Sequence, residues 1–120
     1  MGLNISHGCW EGPYSAFHRY RSAVAKAAGY GDLNDYEGFS GFKTFPKDDP
    51  LTCLLGHSDS DGEIAAADTG QLAARLEDLL PALDAADAGG RYCGLYGDKT
   101  RVFIAGLRDA SSANEPVVFG

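Results

Sequence analysis

Leu51-Thr52-Cys53-Leu54-Leu55-Gly56-His57-Ser58-Asp59-Ser60-Asp61-Gly62-Glu63-Ile64 leads into Asp68-Thr69 and then into Leu72, Leu76, Leu79, Leu80 and Leu83. A short apolar segment, an acidic loop around a glycine, and leucines at helical spacing follow one another, and this order sets a helical frame. Asp68-Thr69 makes a good N-cap for a helix over about Gly70 to Ala85. Pro81 should break or kink it, and Ala88-Gly89-Gly90 should end it.

The frame extends in both directions. Upstream, Tyr14, Phe17, Val24, Ala28 and the stem of Arg21 form one face of a helix predicted from about Pro13 to Ala28. Gly29 and Gly31 close it, and the first twelve residues read as irregular. Between the two helices lies an aromatic-rich loop over residues 30 to 49, with room for a short strand near Gly41 to Phe45. Downstream, a last helix from about Asp98 to Ser111 buries Val102, Phe103, Gly106, Leu107 and Ala110, and Pro116 to Phe119 suits a short strand. The fold class is therefore mainly α, or an α+β variant. We expect one compact domain over residues 1–120, built of three to four helices with at most a small sheet.

The acidic loop carries the densest chemistry. His57 as first position puts Asp59 third, Asp61 fifth, Gly62 sixth, Ile64 eighth and Asp68 twelfth. This spacing resembles the calcium loop of an EF-hand, in which alternating carboxylates and a backbone carbonyl, here that of Glu63, wrap one ion. His57 offers nitrogen where that loop has oxygen, which suits zinc or manganese, and Asp68 is one methylene shorter than the usual closing Glu. Calcium, magnesium, manganese and zinc all stay open as the ion. The segment from Leu51 to Gly62 is also similar to the first motif of the DHH phosphoesterases, where a His and Asp residues hold a manganese pair; the Asp-His-His signature is missing here. The same Ser, Asp and Gly residues are equally ordinary turn chemistry.

Composition bounds the partners. Ten Lys and Arg against seventeen Asp and Glu give a net charge of -7, which argues against a nucleic-acid backbone or an anionic membrane as partner. Local basic pockets remain open, because the cations gather at Arg19, Arg21 and Lys26 and again at Lys99, Arg101 and Arg108. No apolar run reaches transmembrane length and no signal-like segment opens the chain, so the sequence reads as cytoplasmic. Cys9, Cys53 and Cys93 are odd in number and contain no CxxC, which suits reduced thiols.

A second cluster lies at the N-terminus. His7 and Cys9 stand two apart, so both can face one zinc ion, which His57 and the carboxylates would complete. Trp10, Tyr14, Phe17, Arg19 and Arg21 read either as core or as a ligand surface, with rings that stack a base and Arg that holds a phosphate. Ser15 lies near His18, but without a GxSxG elbow to present it we discount a serine hydrolase.

His7-x-Cys9-Trp10-x-Gly12-x-Tyr14-Ser15-x-Phe17 and His57-Ser58-Asp59-x-Asp61-Gly62-Glu63-Ile64 resemble motifs of a family of small phage, prophage and bacterial proteins. That resemblance implies the cytoplasm of a host cell and a counter-defence role. The adopted reading is a small acidic binding protein, more naturally non-enzymatic, that acts on a host protein or a small nucleotide-like ligand. The alternative is a metal-dependent phosphoester hydrolase, with His57, Asp59 and Asp61 as ligands, Glu63 as base and Arg19 or Arg21 on the phosphate.

Overall fold

The structure is a computed structural model that describes residues 2–36, 41–57, 61–89 (86–89 as backbone) and 96–120. The N-terminal segment is not irregular. Leu3 and Ile5 point inward and alternate with exposed Gly2 and Asn4, the pattern of a half-buried strand. They form β1 (Gly2–Ile5), which pairs antiparallel with β2 (Trp10–Pro13), Ile5 opposite Trp10. A 3-10 turn over Ser6–Gly8 reverses the chain through two left-handed residues, His7 at φ 62 and Gly8 at φ 73.

α1 (Tyr14–Ala27) begins after Pro13 and buries Phe17, Tyr20, Arg21, Val24 and Ala25. It ends as the sequence expects. Gly29 takes φ 86, its N–H bonds the Lys26 carbonyl, and the Tyr30 N–H reaches the Ala25 carbonyl, which is a Schellman closure. The aromatic segment then makes a 3-10 turn over Leu33–Asp35 and a single bridge from Tyr36 to Lys43 in place of the expected strand. Tyr36 stacks on Phe45 with centroids 4.4 Å apart, so ring packing orders this stretch in place of a strand ladder.

The apolar segment is one helical turn, α2 (Thr52–Leu55), whose Leu54 and Leu55 are buried. β3 (Glu63–Ile64) follows, and then α3 (Ala66–Gly89). α3 starts earlier than predicted. Asp68 and Thr69 lie inside its first turn, where the Thr69 hydroxyl donates to the Ala66 carbonyl at 2.8 Å. The high helix propensity of Ala66 and Ala67 outweighs the capping preference of Asp and Thr. The helix also runs through Pro81, so the expected break does not occur.

α4 (Tyr96–Ala113) packs along α3 and buries Thr100, Phe103, Ile104, Gly106, Leu107 and Ala110. Val102, expected inside, is 54% exposed. The buried face centres on Phe103 and Leu107, and Ile104 takes the place given to Val102. Asn114 at φ 55 closes this helix with the same Schellman bonds, Asn114 N–H to Ser111 and Glu115 N–H to Ala110.

The tail forms β4 (Val117–Val118), antiparallel to β3 with Ile64 opposite Val117. An Ile5–Phe119 bridge and a Gly120 N–H bond to the Asn4 carbonyl join the two strand pairs edge to edge. Mainly helical with a small strand region, the architecture matches the expected class. Its core is aromatic. Trp10 sits edge-on to Phe17 and tilted against Tyr20, each at 5.2 Å, and Tyr20 stacks on Phe103 at 6.1 Å. Among the described residues no helix is long and apolar enough to cross a membrane.

Candidate functional site

The acidic loop is held at both ends. Arg21, 2% exposed on α1, directs Nη1 at the carbonyls ending α2, at 3.3 Å to Leu54 and 2.6 Å to His57. Its guanidinium also lies 4.8 Å from the Phe17 ring centre. The sequence offered Arg21 as a phosphate ligand, but here it is a buried cap on the last carbonyls of α2. At the far end, Gly62 takes φ 90, as a sharp turn requires, and its carbonyl accepts the Phe119 N–H.

His57 joins the two ends. Its ring stacks on Phe119 with centroids 4.0 Å apart, and Nε2 donates to the Glu63 carbonyl at 3.0 Å. That carbonyl is the one the calcium-loop pattern would give to an ion. Asp61 and the Glu63 side chain are exposed, and Asp59 lies outside the described residues. Asp68 faces elsewhere. It lines a hollow of about 280 Å3 with Lys47, Asp48, Asp49, Cys53 and Gln71. Among the described residues no three His, Cys, Asp or Glu side chains converge as a metal-binding group.

The N-terminal candidates separate into inside and outside. Cys9 is 1% exposed, and burial, followed by Asp109, pushes its thiol up to about 12. His7 points the other way, with Nε2 3.0 Å from Glu115 Oε1 and Nδ1 3.0 Å from Ser6 Oγ. The pair therefore does not face one ion in this arrangement. Trp10 and Phe17 are core residues, Tyr14 is half-buried, and Arg19 is exposed. Tyr20 hands its hydroxyl proton to Thr100 Oγ1 at 2.9 Å, which in turn donates to the Tyr96 carbonyl.

A larger opening lies on the other flank of α1. Arg19, Ser22, Ala23, Lys26 and Ala27 recur at spacings of three and four, a second stripe beside the buried one. This stripe walls a groove of about 770 Å3, closed by Gly31 to Leu33, by Ala82 and Leu83 of α3, and by Tyr96. Small-ligand sites typically measure roughly 300–1,000 Å3. Asp32 is the acid in the wall, and it accepts the Asn34 N–H at 2.9 Å as a turn cap.

Three other arginines are ion-paired. Arg101 pairs with Asp84 and Asp98, Arg108 with Glu77, and Arg75 with Asp49. Among the described residues, Arg19 and Lys26 take no ion-pair partner, nor do Lys43, Lys47 and Lys99, but only the first two line the groove. Sequence reasoning named Arg19 but missed the groove, including Lys26 as a site residue, Leu33, Leu83 and Tyr96. The signal was present in part, as small and cationic residues at helical spacing beside the apolar face.

Cys53 is half-buried and donates from Sγ to the Pro50 carbonyl at 3.0 Å. Burial, followed by Asp68, pushes its thiol up to about 11. Neither Cys9 nor Cys53 is thus an activated nucleophile. Cys93 lies outside the described residues. Comparison with protein-family models, with curated proteins and with solved structures gives no match for this chain.

Proposed function

We propose that the protein is a non-enzymatic binding protein that takes a small anionic, nucleotide-like ligand into the groove beside α1. The observation that carries this reading is the pairing of Arg19 and Lys26 over an apolar floor of Ala23, Ala27, Leu33 and Leu83, in a chain of net charge -7. Such a floor accepts a base or other flat ring, Tyr96 belongs to the lining, and the two cations supply the anion contacts. The likeness to small phage and prophage proteins supports a sequestering, counter-defence role for such binding.

Calorimetry against a panel of mononucleotides and dinucleotides tests this. At least one should bind at micromolar concentration, and Arg19→Ala with Lys26→Ala should weaken it at least about tenfold, the loss of one or two charge-assisted contacts. The ligand should be recovered unchanged after the protein is denatured. A chemically altered product would favour the hydrolase, and binding that ignores both substitutions would place the ligand outside the groove.

A further inference from the structure

A carboxylate stands in the wall of the cationic groove beside α1. Among the described residues Asp32 is the only acid that lines it, and neither Arg19 nor Lys26 forms an ion pair with it. Asp32 is exposed, and its turn-capping bond to the Asn34 N–H uses Oδ1 alone. An ionised carboxyl accepts about four hydrogen bonds, so the cap leaves most of that capacity open. A negative charge here repels an anionic ligand unless the ligand brings donors to meet it.

The chain fixes where along the groove this acid sits. α1 closes with the Gly29 N–H on the Lys26 carbonyl and the Tyr30 N–H on the Ala25 carbonyl. Asp32 follows two residues after Tyr30, within about 7 Å of it even when fully extended, so it lies at the C-terminal end of the helix. Lys26 occupies that end. Arg19 is seven residues earlier, about 10 Å back along the axis. The groove thus has Arg19 at one end and Lys26 with Asp32 at the other.

A mononucleotide spans a comparable distance from its phosphate to its base edge, and the apolar floor between the two ends suits its flat ring. With the phosphate on the planar fork of Arg19, the base edge meets Lys26 and Asp32. The bases differ there. Guanine presents one acceptor, O6, and two adjacent donors, N1–H and N2–H2, whereas adenine, cytosine and uracil each present a single donor position. A carboxylate takes two parallel N–H groups as it takes the fork of an arginine, and an ammonium beside it suits O6.

We propose that Asp32 selects guanine in this groove, accepting N1–H and N2–H2 while Lys26 donates to O6 and Arg19 holds the phosphate. This selectivity rests on the nucleotide reading of the groove, and it gives the two cations separate roles.

GMP, IMP and AMP carry the same phosphate, so calorimetry against the three isolates the base edge. GMP should bind at least about tenfold tighter than AMP, with IMP, which lacks the 2-amino group, between them. Asp32→Asn keeps an oxygen for the Asn34 N–H and removes the charge. It should weaken GMP about tenfold, because a carboxamide cannot accept both guanine donors. It should leave AMP as tight or tighter, because a repulsive charge has gone, and circular dichroism confirms its fold. An Asp32 that only caps its turn gives the opposite sign for GMP. Tightening of GMP together with AMP on Asp32→Asn overturns the guanine assignment, and so does equal binding of GMP and AMP by the parent protein. The groove reading survives either result if Arg19→Ala still weakens binding. Failure of all three nucleotides also overturns the guanine assignment, and the groove reading falls with it only if dinucleotides fail as well.

Discussion

Gly106→Ala should destabilise the protein although alanine is the better helix former. Gly106 lies on the buried face of α4 against the N-terminal hairpin. A Cβ there would stand 2.6 Å from Cys9 Sγ, 2.8 Å from the His7 carbonyl oxygen and 3.0 Å from the Cys9 nitrogen. Two of these three atoms are backbone, so relief requires the hairpin turn to move away from α4. That movement strains the Ser6 Oγ contact to the Val118 N–H and the His7–Glu115 pair, both of which tie the hairpin to the tail. Overpacking costs about 1–3 kcal/mol, against at most about 1 kcal/mol gained in helix propensity. The net expectation is a loss of about 1–2 kcal/mol. Gly70→Ala is the matched control. Its Cβ would meet Ser111 Oγ at 3.2 Å, a hydroxyl that can rotate away, so propensity should dominate and stability should hold or rise by up to about 0.5 kcal/mol. Urea unfolding by circular dichroism measures both, with roughly 4 °C in Tm per kcal/mol for a chain of this size. If Gly106→Ala is as stable as the parent, or the two variants shift together, then the close approach of α4 to the Cys9 backbone is wrong.

Arg21→Met should cost roughly 2–4 kcal/mol, because it strands the carbonyls of Leu54 and His57 that the guanidinium satisfies, and faster amide exchange at Ile64 and Phe119 would show the acidic loop loosening with it. Asp49 is pulled up by burial but more strongly down by the Tyr30 hydroxyl, the Leu51 N–H and Arg75, so its carboxyl titrates below the usual 3.8. A depressed carboxylate stabilises the fold above its unfolded pKa and loses that contribution as pH falls through the folded value. Asp49→Asn should therefore lose about 1–3 kcal/mol at pH 7 and show a flatter acid limb below about pH 4 in urea titrations across pH. In a Cys93→Ser background, Cys9 and Cys53 should react with a thiol reagent at pH 8 only on unfolding; rapid labelling of the native protein would contradict the raised thiol pKa of both.

The helices were legible because each carries its own period and, in two cases, its own stop. Gly29 announces the end of α1 in sequence, and the spacing of Phe17, Arg21 and Val24 marks its inner face. To that face the structure adds Tyr20 and Ala25, while Tyr14 and Ala28 stay half-buried. The hairpin was not legible. Gly2, Gly8 and Gly12 look irregular in sequence, and the alternation of Leu3 and Ile5 is too short to register without a partner strand. The start of α3 was misplaced because Asp68-Thr69 is a local capping signal, whereas the helix begins two residues earlier at Ala66, next to the strand that pairs Ile64 with Val117, fifty-odd residues away. Site reading failed for a related reason. Residue chemistry marks Arg21, Cys9 and His57 as reactive, but only long-range contacts reveal that Arg21 is a cap, Cys9 is core and His57 is stacked on Phe119. The groove depends on α1, α3 and α4 together, and no single segment announces it.

The acidic loop can now be weighed by what an ion would have to displace. In the calcium pattern the first and seventh positions both face the metal, as a side chain and a carbonyl. Here those two groups, His57 Nε2 and the Glu63 carbonyl, satisfy each other at 3.0 Å while the imidazole stacks on Phe119. An ion using both must break that bond, worth about 1 kcal/mol net, and turn the ring off Phe119, forfeiting roughly another kcal/mol of aromatic contact. The ring lies close to Gly62, where an added Cβ would stand 3.2 Å from it. The cost is small beside the affinity of a well-made divalent site, so it sets a threshold without forbidding the ion. It also gives the ion a signature. Binding that recruits His57 must loosen Phe119, whose N–H anchors the Gly62 carbonyl, and so must disturb the β3–β4 pair; an ion held only by loop carboxylates would leave that pair untouched.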